Sequence, residues 1–165
     1  ELPEGHPARS RAPRSLLLPH EDEVVQEAVR KARKALPRLL VHLADHPEAR
    51  AAVKFPLRAE GTVEHVWGAI VEPGHPLLVR LVADPVAVPA PEGDIEVPYD
   101  EVVDWQVPLS DGKTAGGYGE RALYEAVRAE FGFLPEAAGA GLARLVDLPP
   151  PGSASGPSTT SEEPT

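Results

Sequence analysis

Val53-Lys54-Phe55-Pro56-Leu57-Arg58 alternates apolar with polar or imino residues, and the reading of this stretch decides the fold. A period of two puts Val53, Phe55 and Leu57 on one face of a pleated strand and Lys54, Pro56 and Arg58 on the other. The same period continues to residue 109. Val63, His65, Trp67, Ala69 and Val71 share one face of the next segment. Leu77, Val79 and Leu81 line a third, with Arg80 turned the other way. Ile95, Val97 and Tyr99 make a fourth strand, and Val102 to Val107 a fifth. Glu60-Gly61, Pro73-Gly74, Glu92-Gly93 and Asp111-Gly112 supply the turns, since glycine admits the positive φ that tight turns require. Short strands joined this way predict a five-stranded antiparallel sheet over 51–109, curled into a small barrel-like, SH3-like form.

On either side of the sheet the period lengthens. Val25, Val29, Ala32, Leu36, Leu39, Leu40 and Leu43 recur every three or four residues, which predicts an amphipathic helix over 22–46. Acidic residues open this helix and basic ones follow, as the helix dipole favours. Pro37 lacks an amide proton, so a kink or break is expected at 36–37. Beyond the sheet, Leu123, Val127 and Phe131 place a second helix over 118–132, stopped by Gly132. Pro135 opens a weaker third helix over 135–146, with Gly139 and Gly141 acting against it. The fold class is α+β: a kinked N-terminal helix packed on the sheet, with a C-terminal helix closing it. Residues 1–19 read as a flexible arm and 148–165 as a disordered Pro/Ser/Thr tail, leaving a single globular domain over 20–147.

The chain has 165 residues, 16 of them basic and 26 acidic, for a net charge of −10. There is no cysteine, which excludes disulfides, thiol nucleophiles and thiolate metal sites. The acidity is concentrated in residues 51–135, which hold 14 acids against six bases. A partner drawn by long-range electrostatics is therefore basic, and nucleic acid and anionic membranes are not expected partners. No apolar run approaches the length of a bilayer span. A cytoplasmic location is expected.

Several motifs fall in register over about 70 residues: Val53-Lys54-Phe55-Pro56, Glu64-His65-Val66-Trp67, Ala83-Asp84-Pro85, and Val97-Pro98-Tyr99-Asp100-Glu101-Val102-Val103-Asp104-Trp105. Asp111-Gly112-Lys113 and Gly116-Gly117-Tyr118 complete the series. In order and spacing the segment 53–123 resembles the YegJ-like bacterial domain, a family without an assigned function. Gln106-Val107 replaces an aromatic of the family pattern, and Gly119 replaces a polar residue. The resemblance implies a compact bacterial accessory domain and no established catalysis.

His65 beside Trp67 suits ligand stacking or general-base work, or else Trp67 is the main anchor of the core with His65 bonded at its edge. Asp104 could orient His65, or it caps backbone amides where strand meets turn. Asp94, Glu96, Asp100, Glu101 and Asp104 lack the glycine-interrupted spacing of a calcium loop and read as a solvated acidic face. Among six scattered histidines only His42 and His46 share an i, i+4 spacing, and Asp45-His46-Pro47 reads as a helix end, where a histidine near the last carbonyls is favoured electrostatically, so no metal or cofactor is expected. Gly116-Gly117-Tyr118-Gly119 lacks the ending of a phosphate loop, so turn geometry explains its glycines more simply than anion binding.

The expected function is a non-enzymatic module that binds a protein partner through an acidic sheet face. Its expected partner face comprises Trp67, Asp84, Asp100, Glu101, Trp105, Lys113, Gly116 and Gly117. Two alternatives stand beside it: a small hydrolase or isomerase using His65, Asp104 and Tyr118, and a small-ligand-binding barrel. Oligomeric state is not legible in the sequence.

Overall fold

The computed structural model describes residues 21–150. The arm expected at 1–19 and the tail from 151 onward lie outside the described residues. Three helices and seven strands follow in the order α1 (Glu21–Asp45), β1 (Ala52–Ala59), β2 (Thr62–Glu72), β3 (Leu77–Leu81), β4 (Ile95–Val97), a 3₁₀ turn (Tyr99–Glu101), β5 (Asp104–Pro108), β6 (Thr114–Gly116), α2 (Tyr118–Phe131), α3 (Glu136–Arg144) and β7 (Leu145–Val146). The α+β class stands as expected. The sheet differs: it is seven-stranded and open, in the order β4-β3-β2-β1-β5-β6-β7. All pairings are antiparallel except β6 with β7.

The sheet stays open because its two ends are far apart in this order. A barrel would need β4 to pair with the far edge, but β6 and β7 extend that edge away from it. Both extra strands escape sequence patterning. Strand β6 is three residues long and ends in a glycine, and β7 is two residues long, directly after α3. The fourth strand also ends earlier than expected, because Pro98 leads into the 3₁₀ turn that takes up Tyr99.

The β1–β2 hairpin turns on Glu60 and Gly61, with φ of 48° and 79°. Ala59 pairs directly with Thr62, so the loop is two residues long with both φ positive, the geometry whose twist matches that of the strands. Val53, Phe55 and Leu57 are buried as the alternation requires. In β2 the buried residues are Val66 and Gly68, while Val63, His65, Ala69 and Val71 are exposed. Gly68 is needed where Phe55 and Val79 close over it, since a Cβ there would lie 3.0 Å from the Phe55 ring.

Helix α1 lies on the buried face. Ala28, Ala32, Leu36 and Leu39 are its inner row, and Val25, expected in that row, is 53% exposed. The helix runs unbroken through Pro37, contrary to the break expected at 36–37. Pro37 is exposed, and so is Arg33 one turn earlier, the residue whose carbonyl Pro37 cannot serve. Arg33 itself reaches the sheet, donating from Nε to the Val102 carbonyl at 2.8 Å. The largest buried side chain is Trp105, fully enclosed, whose indole Nε1–H donates to the Ala32 carbonyl at 2.9 Å. This reverses the expectation that Trp67 anchors the core. Leu148, expected in the tail, is also buried, and its carbonyl accepts from Arg38.

The long connection between β3 and β4 is pinned by Glu64. Its carboxylate accepts from the amides of Val86, Ala87 and Val88 at 2.7, 2.7 and 3.1 Å. Those amides hold the Glu64 carboxyl below the usual carboxylate range. The clasp seats Val88 in the core, which lets a loop without regular structure cover part of the sheet.

Candidate functional site

The sheet has two unlike faces. One carries α1 and the Trp105 core. The other presents Lys54, Pro56 and Arg58 from β1, Val63, His65, Trp67 and Ala69 from β2, and Leu78 and Arg80 from β3, all at positions that alternate with buried ones. Register sets them side by side: Lys54 lies opposite Trp67, Pro56 opposite His65, and Ala69 opposite Arg80. Val63 is 53% and Val82 64% exposed on this side. Helices α1 and α2 contact the sheet at β5, and α3 contacts β7. Trp67 itself is half-buried, with exposed His65 and Ala69 on the same strand face.

The charge on this open face is mixed, not acidic. Arg58 pairs with Glu101 at 3.0 Å, and Arg80 holds Asp94 with Nε and Nη2 at 3.0 and 3.3 Å. His65 is pushed below the ordinary histidine value, first by partial burial and then by Lys54 and Arg58, which favours its neutral form. The negative balance of residues 51–135 is real but dispersed. Asp84 and Asp100 stand exposed in separate loops, and Asp104 is buried. Net charge along a chain says how much charge a segment holds and not which face receives it.

The residues expected to form one partner face are divided in the same way. Trp67 lies on the open face with Glu101 near its edge. Trp105, Gly116 and Gly117 are buried, and Lys113 is exposed in the β5–β6 turn.

Asp104 has a structural task that occupies both its oxygens. Oδ1 accepts from the amides of Trp105 at 2.8 Å and Tyr118 at 2.9 Å, and Oδ2 accepts from Gly119 at 3.0 Å. Helix α2 has no side-chain cap of its own, because its N-cap residue is Gly117 in the left-handed region. A carboxylate from β5 therefore caps a helix that begins fourteen residues later. Burial pushes the Asp104 carboxyl above its ordinary value, while the three amides and Lys54 pull against that rise. Gly119 is a close fit, since a Cβ there would stand 3.3 Å from Oδ2. The glycine run is thereby explained: its amides bond Asp104 and the Trp105 carbonyl within the chain, which leaves no cradle of free amides for an anion.

His65, Asp104 and Tyr118 do not converge. His65 is on the open face, whereas the Tyr118 ring meets Trp105 edge-on at 5.6 Å on the helix side. Asp104 bonds neither of them through a side chain. Burial, and then Asp147, push the Tyr118 phenol above its ordinary value, with the Arg121 guanidinium 4.4 Å from its ring centre opposing this. His42 and His46 stack with ring centres 4.4 Å apart. Among the described residues no cluster of three or more His, Asp or Glu could hold a metal ion, and no helix is long and apolar enough to cross a membrane.

Sequence reasoning missed two polar features. Glu64 lay within a quoted motif, but its clasp depends on a loop more than twenty residues away. Arg121 sits one turn beyond Tyr118, an i, i+3 spacing that would have paired them on a helix. No protein-family model, curated protein or solved structure matches this chain.

Proposed function

We propose that this chain is a non-enzymatic binding module that docks a partner protein on the open face of its sheet, with Trp67 at the centre. The observation that carries the reading is a half-buried tryptophan on a sheet face that also presents exposed Val63 and His65 and the Arg58–Glu101 and Arg80–Asp94 pairs. Tryptophan and arginine dominate the energetics of protein interfaces, and a mixed-charge rim around an apolar centre is their usual composition. The partner surface is accordingly apolar at its centre. The chain's net charge of −10 favours the approach of a partner that is basic overall, because long-range fields govern the encounter rate more than the final contacts. Kinship with the YegJ-like family belongs to this reading and rests on the motifs between residues 53 and 123.

A photo-crosslinker placed at Ala69 tests the reading in cells of the source organism. It is expected to capture a discrete protein that the same crosslinker at exposed Glu130, on α2, does not capture. With that protein purified, Trp67→Ala should weaken binding by about 30-fold or more, the loss of one interface hot spot. Stability of the variant should change by about 1 kcal/mol or less, since Trp67 lies outside the core. Equal capture from both positions, or unchanged affinity in the variant, would overturn the reading.

A further inference from the structure

A cleft of about 430 Å³ separates α1 from α2 on the side of the molecule away from the open sheet face. Small residues make the room: Ala28 and Ala35 on one wall and Ala122 on the other. Its charged lining is mixed, with Lys31, Lys34, Arg38 and Arg121 against Glu27, Glu125 and Asp147, and Tyr118 lines it too.

Arg121 is the unusual member. Its side chain is only 18% exposed, and Nη1 donates to Asp147 at 2.9 Å. Nε and Nη2 are buried and make no hydrogen bond of ordinary geometry, the only such side-chain atoms among the described residues, although the guanidinium also lies near enough to the Tyr118 hydroxyl to oppose its upward shift. Leaving buried donors of a cation unpaired carries a large desolvation cost. The two idle nitrogens are not a random pair. Nε–H and Nη2–H lie parallel along one edge of the guanidinium plane, at the spacing of the two oxygens of a carboxylate. Arg80 uses this same edge in the same molecule, with Nε on Asp94 Oδ1 and Nη2 on Oδ2.

We propose that the α1–α2 cleft binds a small organic carboxylate whose two oxygens occupy the unpaired Nε/Nη2 edge of Arg121. The body of the ligand lies against the alanines and the Tyr118 ring, and Lys31 and Lys34 draw it in. Asp147 keeps Nη1 engaged, which fixes the plane of the fork and leaves the other edge for the guest. Tyr118 beneath the guanidinium holds it from the second side at 4.4 Å. Solvent does not reach the two nitrogens, so the carboxylate displaces a covering group on entry and then bonds a desolvated cation, where such bonds are strongest. The cleft volume is in the range of small-molecule sites. This site is independent of the Trp67 face.

The test is titration of the whole chain with benzoate, followed by the arginine Nε–H resonances in ¹⁵N-correlated NMR. Benzoate is expected to shift the Arg121 Nε–H signal saturably, with an affinity in the millimolar range or tighter, and to leave the Arg80 signal in place. Arg121→Lys, which keeps the charge and removes the fork, should weaken binding by about tenfold or more. Inorganic phosphate serves as the second arm. No saturable shift at Arg121 with benzoate would overturn the proposal, as would unchanged affinity in a folded Arg121→Lys chain, or a response to phosphate alone. The readout on the unaltered protein decides the matter even where the variant does not fold.

Discussion

Trp105→Ala is expected to lower stability by about 3–5 kcal/mol, the range for truncating a large aromatic in a packed interior. Trp105 is fully enclosed, and its indole is a polar tie between the sheet and α1 through the Ala32 carbonyl. The Tyr118 ring also rests edge-on against it. One substitution thus empties the space between β5, α1 and the start of α2. For a domain whose total stability is of order 5–15 kcal/mol this is a large share, and the melting temperature should fall by roughly 10 °C or more. Thermal and urea unfolding followed by circular dichroism measure it. A loss under about 1 kcal/mol would mean that Trp105 is not the keystone of the interior.

Gly116→Ala is expected to be comparably severe for a different reason. Gly116 has φ of 92°, outside the range of ordinary side-chain-bearing residues. A Cβ at this position would lie 2.1 Å from the Trp105 carbonyl oxygen and 2.7 Å from its ring. The obstacle is backbone, so no rotamer change relieves it, and β5 and β6 must separate. Backbone strain and overpacking together give roughly 2–6 kcal/mol. Gly139→Ala is the control, because nothing lies within 4 Å of that position inside α3. It should be neutral or stabilising by up to about 1 kcal/mol. Equal unfolding midpoints for the two variants would contradict the close β5–β6 approach.

What could be read from the sequence followed from periodicity. The alternation at Val53–Arg58 and the three-four spacing in α1 and α2 reflect burial on one face, which composition records directly. The turn at Glu60-Gly61 was legible because both of its residues need positive φ. Three- and two-residue strands such as β6 and β7 carry too few positions for any period to show, so the open sheet was read as a barrel. The two tryptophans show the limit more sharply. Trp67 and Trp105 are equally apolar, and alternation says that neighbours face apart without saying which face is inside. Val66, Gly68 and Ile70 form the inward set of β2, and a glycine among them weakens the apolar signal of the side that is buried.

The candidate site was less legible for a related reason. Asp104, Tyr118 and Gly119 meet because the chain returns after β6, and the carboxylate bonds amides, which every residue but proline possesses. The capping role of Asp104 was foreseen in outline, but its target on α2 was not. The pairing of Arg121 with Asp147 depends on the short β7 segment, which sequence assigned to the end of a helix.

The orientation of the sheet, with Trp67 outward and Trp105 sealed inside, underlies both the docking face and the lack of a His65–Asp104–Tyr118 centre. Acrylamide quenching of two single-tryptophan proteins, Trp105→Phe and Trp67→Phe, tests it most directly. The chain retaining only Trp67 should be readily quenched with red-shifted emission, and the chain retaining only Trp105 should be strongly shielded. Equal shielding of both indoles, or the reverse order in folded proteins, would contradict that orientation.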